Sequence, residues 1–153
     1  MSSMSSSELR EQLSAIEPDE HTYEGIGPED VGALREFLMD EEAWLAARAV
    51  HALSRIDADS ARDALVSAAE SPRMEVRVAV ASSAGALPAR LSDTLLSRLL
   101  EDAQPAVRKF AIQSTSHRSG DSIRRRISEI AATEANERLR ESAAQKARSF
   151  FRP

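Results

Sequence analysis

The groups of this 153-residue chain that could do chemistry are 25 carboxylates, 18 arginines, 21 serines and three histidines. His21 stands in Asp19-Glu20-His21-Thr22-Tyr23-Glu24. Acids beside an imidazole make a weak divalent-metal grouping, but nothing in that stretch fixes their geometry. His51 and His117 stand far apart in the sequence, and no serine, histidine and acid stand at a spacing that marks a triad. There is no Gly-rich phosphate loop, no His-x-x-x-His pair and no Gly-x-Ser-x-Gly turn. Cysteine is absent, which excludes disulfides, thiolate metal sites and cysteine nucleophiles together. The expectation is a non-enzyme with no catalytic residue, no cofactor and no metal.

One further grouping has a recognisable chemistry. Arg118, Arg124, Arg125 and Arg126 cluster, with Arg108 and Lys109 nearby in sequence. Arginines in such number suit phosphate binding. Against nucleic acid stand a pI near 5.3 and aromatics at 4 %, since single strands are held by stacking on rings. The net charge of −5 is unevenly spread: −7 over residues 1–30, −2 over 31–90 and +4 over 91–153. This asymmetry is either that of ordinary solvated faces, or it marks an end that recruits an acidic partner or is screened by the acidic arm.

The elements that position these groups are helices. Alanine occurs 26 times, glycine five times, and charged residues make up 29 % of the chain. That is an all-α composition for one domain of ordinary size, long enough to bury a core. No apolar run of 18 residues exists, so no membrane span is expected. Met1–Ser7 has neither a basic nor an apolar region of a signal peptide, which makes a cytoplasmic location the default.

An internal repeat organises the helices. Leu45, Val76, Val107 and Leu139 are anchors spaced 31, 31 and 32 residues apart. Four residues on come Ala49, Val80, Ala111 and Ala143; eight on come Leu53, Ala84, Thr115 and Ala147. Those spacings share one helical face. Leu34, Leu65 and Leu96 lie eleven before the first three anchors, on a preceding helix. In the fourth unit Ile123, Ile127 and Ala131 carry that stripe, shifted by one, which places the extra residue in the turn near Thr133–Ala135. Pro72 and Pro105 fall between paired helices, where proline suits a first helical position. The pattern predicts a helix over 8–16, a loop over 17–28, and four hairpins: 29–39 with 42–56, 61–70 with 73–86, 92–101 with 105–117, and 122–132 with 136–150. The repeat domain is 29–150, in units of about 29–57, 60–88, 91–118 and 121–150, behind an acidic, serine-rich arm over 1–28. One short hairpin cannot bury both its apolar faces, so neighbours must stack, as in an α-solenoid.

Glu75-Val76-Arg77-x-x-Val80-Ala81 and Ala106-Val107-Arg108-x-x-Ala111-Ile112 carry a resemblance. More weakly, Arg138-Leu139-Arg140-x-x-Ala143-Ala144 and Ala49-Val50-His51-Ala52-Leu53-x-x-Ile56 do so too. The chain resembles the HEAT-repeat family in its short prokaryotic form, close to the PBS-lyase type of repeat, over about residues 29–150. The first unit departs in having Ala46 where the arginine would be, and the last is atypical. The resemblance implies a right-handed superhelix and is nearly silent about activity. Relatives with longer solenoids attach or detach bilins; this chain is short for that and poor in aromatics. A further analogy is to helical-repeat DNA glycosylases, which would use the basic half to bind DNA.

The family pattern also implies a ladder: an acidic residue in the turn before each second helix and an arginine just inside it. Asp40, Ser71, Asp102 and Glu134 lie five before the anchors, and Arg77, Arg108 and Arg140 lie one after. In the structural version a turn carboxylate accepts from the arginine or from a neighbour's helix N-terminal amides. In the functional version the three arginines form an anion-binding row.

The most economical function is a non-catalytic interaction module, a scaffold or adaptor that offers a concave face of second helices to another protein. Positions two, six and nine or ten after each anchor point away from the core stripe. The resulting row is Ala47, His51, Arg55, Val78, Ser82, Lys109, Gln113, His117 and Gln145. The arm over 1–28 is either a tether or a cover for the first repeat, for which Leu9, Leu13 and Ile16 have helical spacing.

Overall fold

The structure, a computed structural model, describes residues 4–15 and 19–151. Among the described residues it is all-α, with nine α-helices, three short 3-10 turns and no strand. No helix among them is long and apolar enough to cross a membrane. The chain packs as two compact units, Met1–Val80 and Ala81–Pro153.

The first unit holds α1 (Ser6–Leu13), α2 (Val31–Phe37), α3 (Ala43–Ser54), α4 (Asp59–Ala68) and the greater part of α5 (Met74–Ser83). α3 packs against α1, α2 and α4, and α2 packs against α4. Leu34, Leu45, Ala49, Leu53 and Leu65 form the shared core, each at most 1 % exposed. Every leucine so buried contributes about 1.5–3 kcal/mol.

The acidic arm is docked over its described residues. The Ser5 hydroxyl caps α1, accepting the Glu8 N–H at 3.1 Å. Leu9 and Leu13 are fully buried, and Ile16 lies outside the described residues. The Arg48 guanidinium donates to the Leu13 and Ala15 carbonyls at the end of α1. The Gln12 side-chain amide donates to the carbonyls of Thr22 at 3.0 Å and Glu24 at 2.6 Å. The stretch expected as a loop contains 3-10 turns at Glu20–Tyr23 and Pro28–Asp30. Their side-chain bonds explain them: Asp19 accepts the His21 N–H, and Asp30 accepts the Gly27 N–H, both at 2.9 Å.

The second unit holds a 3-10 turn at Ala84–Ala86, then α6 (Ala89–Leu99), α7 (Pro105–Ser114), α8 (Asp121–Thr133) and α9 (Glu137–Ser149). α8 pairs with α9, α9 packs on α7, and α6 packs on both α7 and α8. Leu96, Val107, Ala111, Ile127 and Ala143 are all fully buried.

Two boundaries differ from the expected ones for identifiable reasons. α7 stops at Ser114 instead of reaching 117, because Thr115 turns extended and its buried hydroxyl donates to the Ile112 carbonyl at 2.7 Å. His117 and Arg118 therefore lie in a turn and not on the helix. The extra residue of the 32-residue spacing is not in the turn at Thr133–Ala135. The turn before α9 has the same bond pattern as the turn before α7: Glu134 accepts from Asn136 as Asp102 accepts from Gln104. α8 runs on to Thr133, next to that turn, and is 13 residues long where α6 has 11.

Candidate functional site

The positions of the expected ladder share one geometry. Asp40, Ser71, Asp102 and Glu134 each accept, through the side chain, the main-chain N–H of the residue two further on. The distances are 2.9, 3.1, 2.9 and 3.2 Å. Arg77, Arg108 and Arg140 each donate Nη1 to the carbonyl six residues back, on Ser71, Asp102 and Glu134, at 2.8, 2.9 and 3.0 Å. These carbonyls follow the end of a helix, where acceptors lack intrahelical partners and a cation is favoured. The expected ladder has a turn carboxylate that accepts from the arginine or from a neighbour's N-terminal amides, and Arg108 with Glu134 is such a pair. Here the amide belongs to the carboxylate's own turn, and a carbonyl is the partner common to all three arginines. Arg108 does extend further, with Nη2 at 3.3 Å from Glu134 Oε1 across to the next repeat.

The first repeat solves the same problem differently. Ala46 is fully buried in place of the arginine. Arg73, from the next repeat, donates to the Asp40 carbonyl and lies 3.4 Å from that of Leu38. Arg10 of α1 pairs with Asp40 and with Glu42, both at 3.0 Å. The Glu42 N–H holds the Asp40 carboxyl below its ordinary value, burial opposes this, and Arg10 and Arg73 add to it. Neither Arg73 nor Arg10 was among the expected residues. The only signal for Arg73 was the missing arginine at Ala46.

The residues of the expected row fall as follows. In the first unit Ala47, His51 and Val78 are half-buried, while Arg55 is exposed at the end of α3 with its guanidinium 5.3 Å from the Tyr23 ring centre. Burial pushes the His51 imidazole below its ordinary value. In the second unit Ser82, Lys109, Gln113, His117 and Gln145 are exposed. α7 and α9 bring three of these together. Lys109 and Gln145 line one open groove with Arg138, and Gln113 and Gln145 line its continuation with Ser142 and Lys146. Arg138, Ser142 and Lys146 were not expected, because they flank the offsets that define the row.

The arginine cluster is partly committed to internal pairs. Arg126 grips both oxygens of Glu101, with Nη2 at 3.0 Å, and reaches Glu129 at 3.2 Å. Those hydrogen bonds raise Arg126 and lower Glu101 from their ordinary values. Arg124 pairs with Asp121 one turn back. Arg118 and Arg125 are exposed and make no ion pair among the described residues. Trp44 is 37 % exposed. The guanidinium groups of Arg10 and Arg48 stand 5.9 and 5.5 Å from its ring centre, and its indole N–H donates to Glu42. His21 contacts Glu24 at 3.3 Å on the surface. Among the described residues no three His, Cys, Asp or Glu side chains are grouped to hold a metal.

The α7–α9 groove presents amides and cations to solvent, while Arg77, Arg108 and Arg140 hold main-chain carbonyls. No family model matches the chain, and no curated protein matches it.

Proposed function

We propose that the chain is a HEAT-type helical-repeat protein whose role is to bind another protein through the exposed sides of its second helices, without catalysis. The repeat domain is residues 29–150, with the arm over 1–28 as its N-terminal cover. One observation carries this reading. Gln113 and Gln145 each lie six residues after a buried anchor, and both are exposed with no hydrogen-bond partner among the described residues. Polar side chains at the same repeat position, unneeded by the fold, are what a recognition surface requires.

The test is affinity capture from host extract with the wild-type chain and two arginine variants. Ser82→Arg stands on the exposed side of a second helix and Ser97→Arg on a first helix. Both should keep their helical circular dichroism. Ser82→Arg should lose the captured partner and Ser97→Arg should retain it. Capture untouched by Ser82→Arg, and by the α7–α9 variants described below, would overturn the reading.

Nucleic acid is the second reading, favoured by Arg118 and Arg125, the exposed arginines of the cluster that make no ion pair among the described residues. Retention on heparin that is lost in the Arg118→Ala/Arg125→Ala variant would support it.

A further inference from the structure

The chain has only two lysines, Lys109 and Lys146. They lie on different helices, and both line the groove between α7 and α9. Arg138 joins them at the α9 end near Asn136, and Glu141 is the one carboxylate of the lining. In a chain of net charge −5 this is a local excess of positive charge. None of the three cations has a carboxylate partner among the described residues, whereas Arg10, Arg62, Arg108, Arg124 and Arg126 are all paired. Lys109 rests 5.4 Å from the Phe110 ring centre and is otherwise exposed.

We infer that this groove takes an extended acidic peptide segment of the partner protein. The inference rests on the interaction-module reading above and names the chemistry of the occupant. The charge of the groove selects carboxylates. Gln113 and Gln145, at equivalent positions on the two helices, present primary amides that both donate and accept, as a peptide main chain does. Ile112 and Leu139 lie at its base and give it an apolar floor. No aromatic side chain lines it, so it lacks the stacking surface a nucleic-acid strand would use. The 13 residues of α9 span about 20 Å, which matches about six residues of extended peptide.

The experiment titrates the isotope-labelled full chain with a short peptide of alternating glutamate and alanine, followed by two-dimensional NMR. The same peptide with glutamine for glutamate, and an oligothymidylate of equal charge, are the comparisons. The glutamate peptide should shift resonances of α7 and α9, and the glutamine peptide should not. Lys109→Glu/Lys146→Glu should weaken binding about tenfold or more, with the thermal melt unchanged. Gln113→Ala/Gln145→Ala should weaken it severalfold while leaving its salt dependence intact. Shifts elsewhere, no shifts, or equal binding of the oligothymidylate would overturn the inference. If partner capture is lost with Ser82→Arg but kept with Lys109→Glu/Lys146→Glu, the groove is wrong and the interaction module stands.

Discussion

Arg108 on α7 and Glu134 in the turn before α9 face each other at 3.3 Å, with a fifth of each side chain exposed. The same guanidinium holds the Asp102 carbonyl at 2.9 Å and approaches that of Ala103 at 3.3 Å. One side chain thus ties its own turn to the turn of the following repeat. Removing either partner leaves a largely buried charge uncompensated, which costs more than the pair itself contributes.

Arg108→Ala should therefore lower unfolding stability by about 2–4 kcal/mol, measured by urea denaturation. Arg108→Lys should recover only part of this, because an ammonium cannot fork between carbonyl and carboxylate. A double-mutant cycle with Glu134→Ala should show coupling of about 1 kcal/mol. Strict additivity would mean that the pair adds nothing between repeats.

Arg73 should serve the first repeat as Arg108 serves the third, though without a largely buried carboxylate partner its loss should cost somewhat less. Arg73→Ala leaves the Leu38 and Asp40 carbonyls without this donor, at an expected loss of about 1–3 kcal/mol. Arg62→Ala is the comparison. Its partners Asp57 and Asp59 are almost fully exposed, so solvent screens the pair and its loss should move the urea midpoint far less than that of Arg73. Equal effects of the two changes on the urea midpoint would refute the bridging role.

The docked arm makes a sharp expectation of Leu9. Leu9→Ala should cost about 2–4 kcal/mol, as for any leucine in a closed core. Deletion of residues 1–15 should expose α3 and increase binding of a hydrophobic dye. A melting temperature unmoved by Leu9→Ala would describe a tether instead of a cover.

Acid should weaken the fold in two steps of the same sign. Burial lowers His51 below 6.5, so the unfolded chain takes up that proton first. Its contribution is full above 6.5 and lost as the pH falls through the folded value. Glu101, lowered from 4.5 chiefly by its hydrogen bond from Arg126, contributes above 4.5 and loses that contribution below it. His51→Gln should flatten the upper step and Glu101→Gln the lower one in denaturation curves taken from pH 8 to pH 3. Stability that rises between pH 7.5 and 6 would contradict the first assignment.

The core was legible in the sequence because burial follows a period. The anchors Leu45, Val76, Val107 and Leu139 are all 4 % exposed or less. Each α-helix among the described residues overlaps a stretch that the stripes mark, but α1 ends at Leu13 and not at 16, α5 at Ser83 with Ala84–Ala86 in a 3-10 turn, and α7 at Ser114. What could not be read was which acceptor each cation reaches. The offset of Arg108 from its anchor gives its place on α7, but its choice of the Asp102 carbonyl depends on how the preceding helix ends. The length of α7 was misjudged for a related reason. Thr115 continues the apolar stripe in sequence, yet its hydroxyl closes the helix, and His117 leaves the row as a result. The α7–α9 groove was half visible: Lys109, Gln113 and Gln145 follow from offsets, whereas Lys146 and Arg138 join only once two helices are set side by side.

The bond from Arg73 back to Asp40 gives the modules a rule of succession. Three residues before its anchor the second unit has Arg73, but the third has Gln104 and the fourth Asn136. An in-frame loss of residues 58–88 would keep every apolar stripe in phase and still bring Gln104 to the place of Arg73. The first hairpin would then meet a successor too short to reach its open carbonyls. Units with the same period are thus not interchangeable, and the first accepts a follower that carries a long cation at its entry.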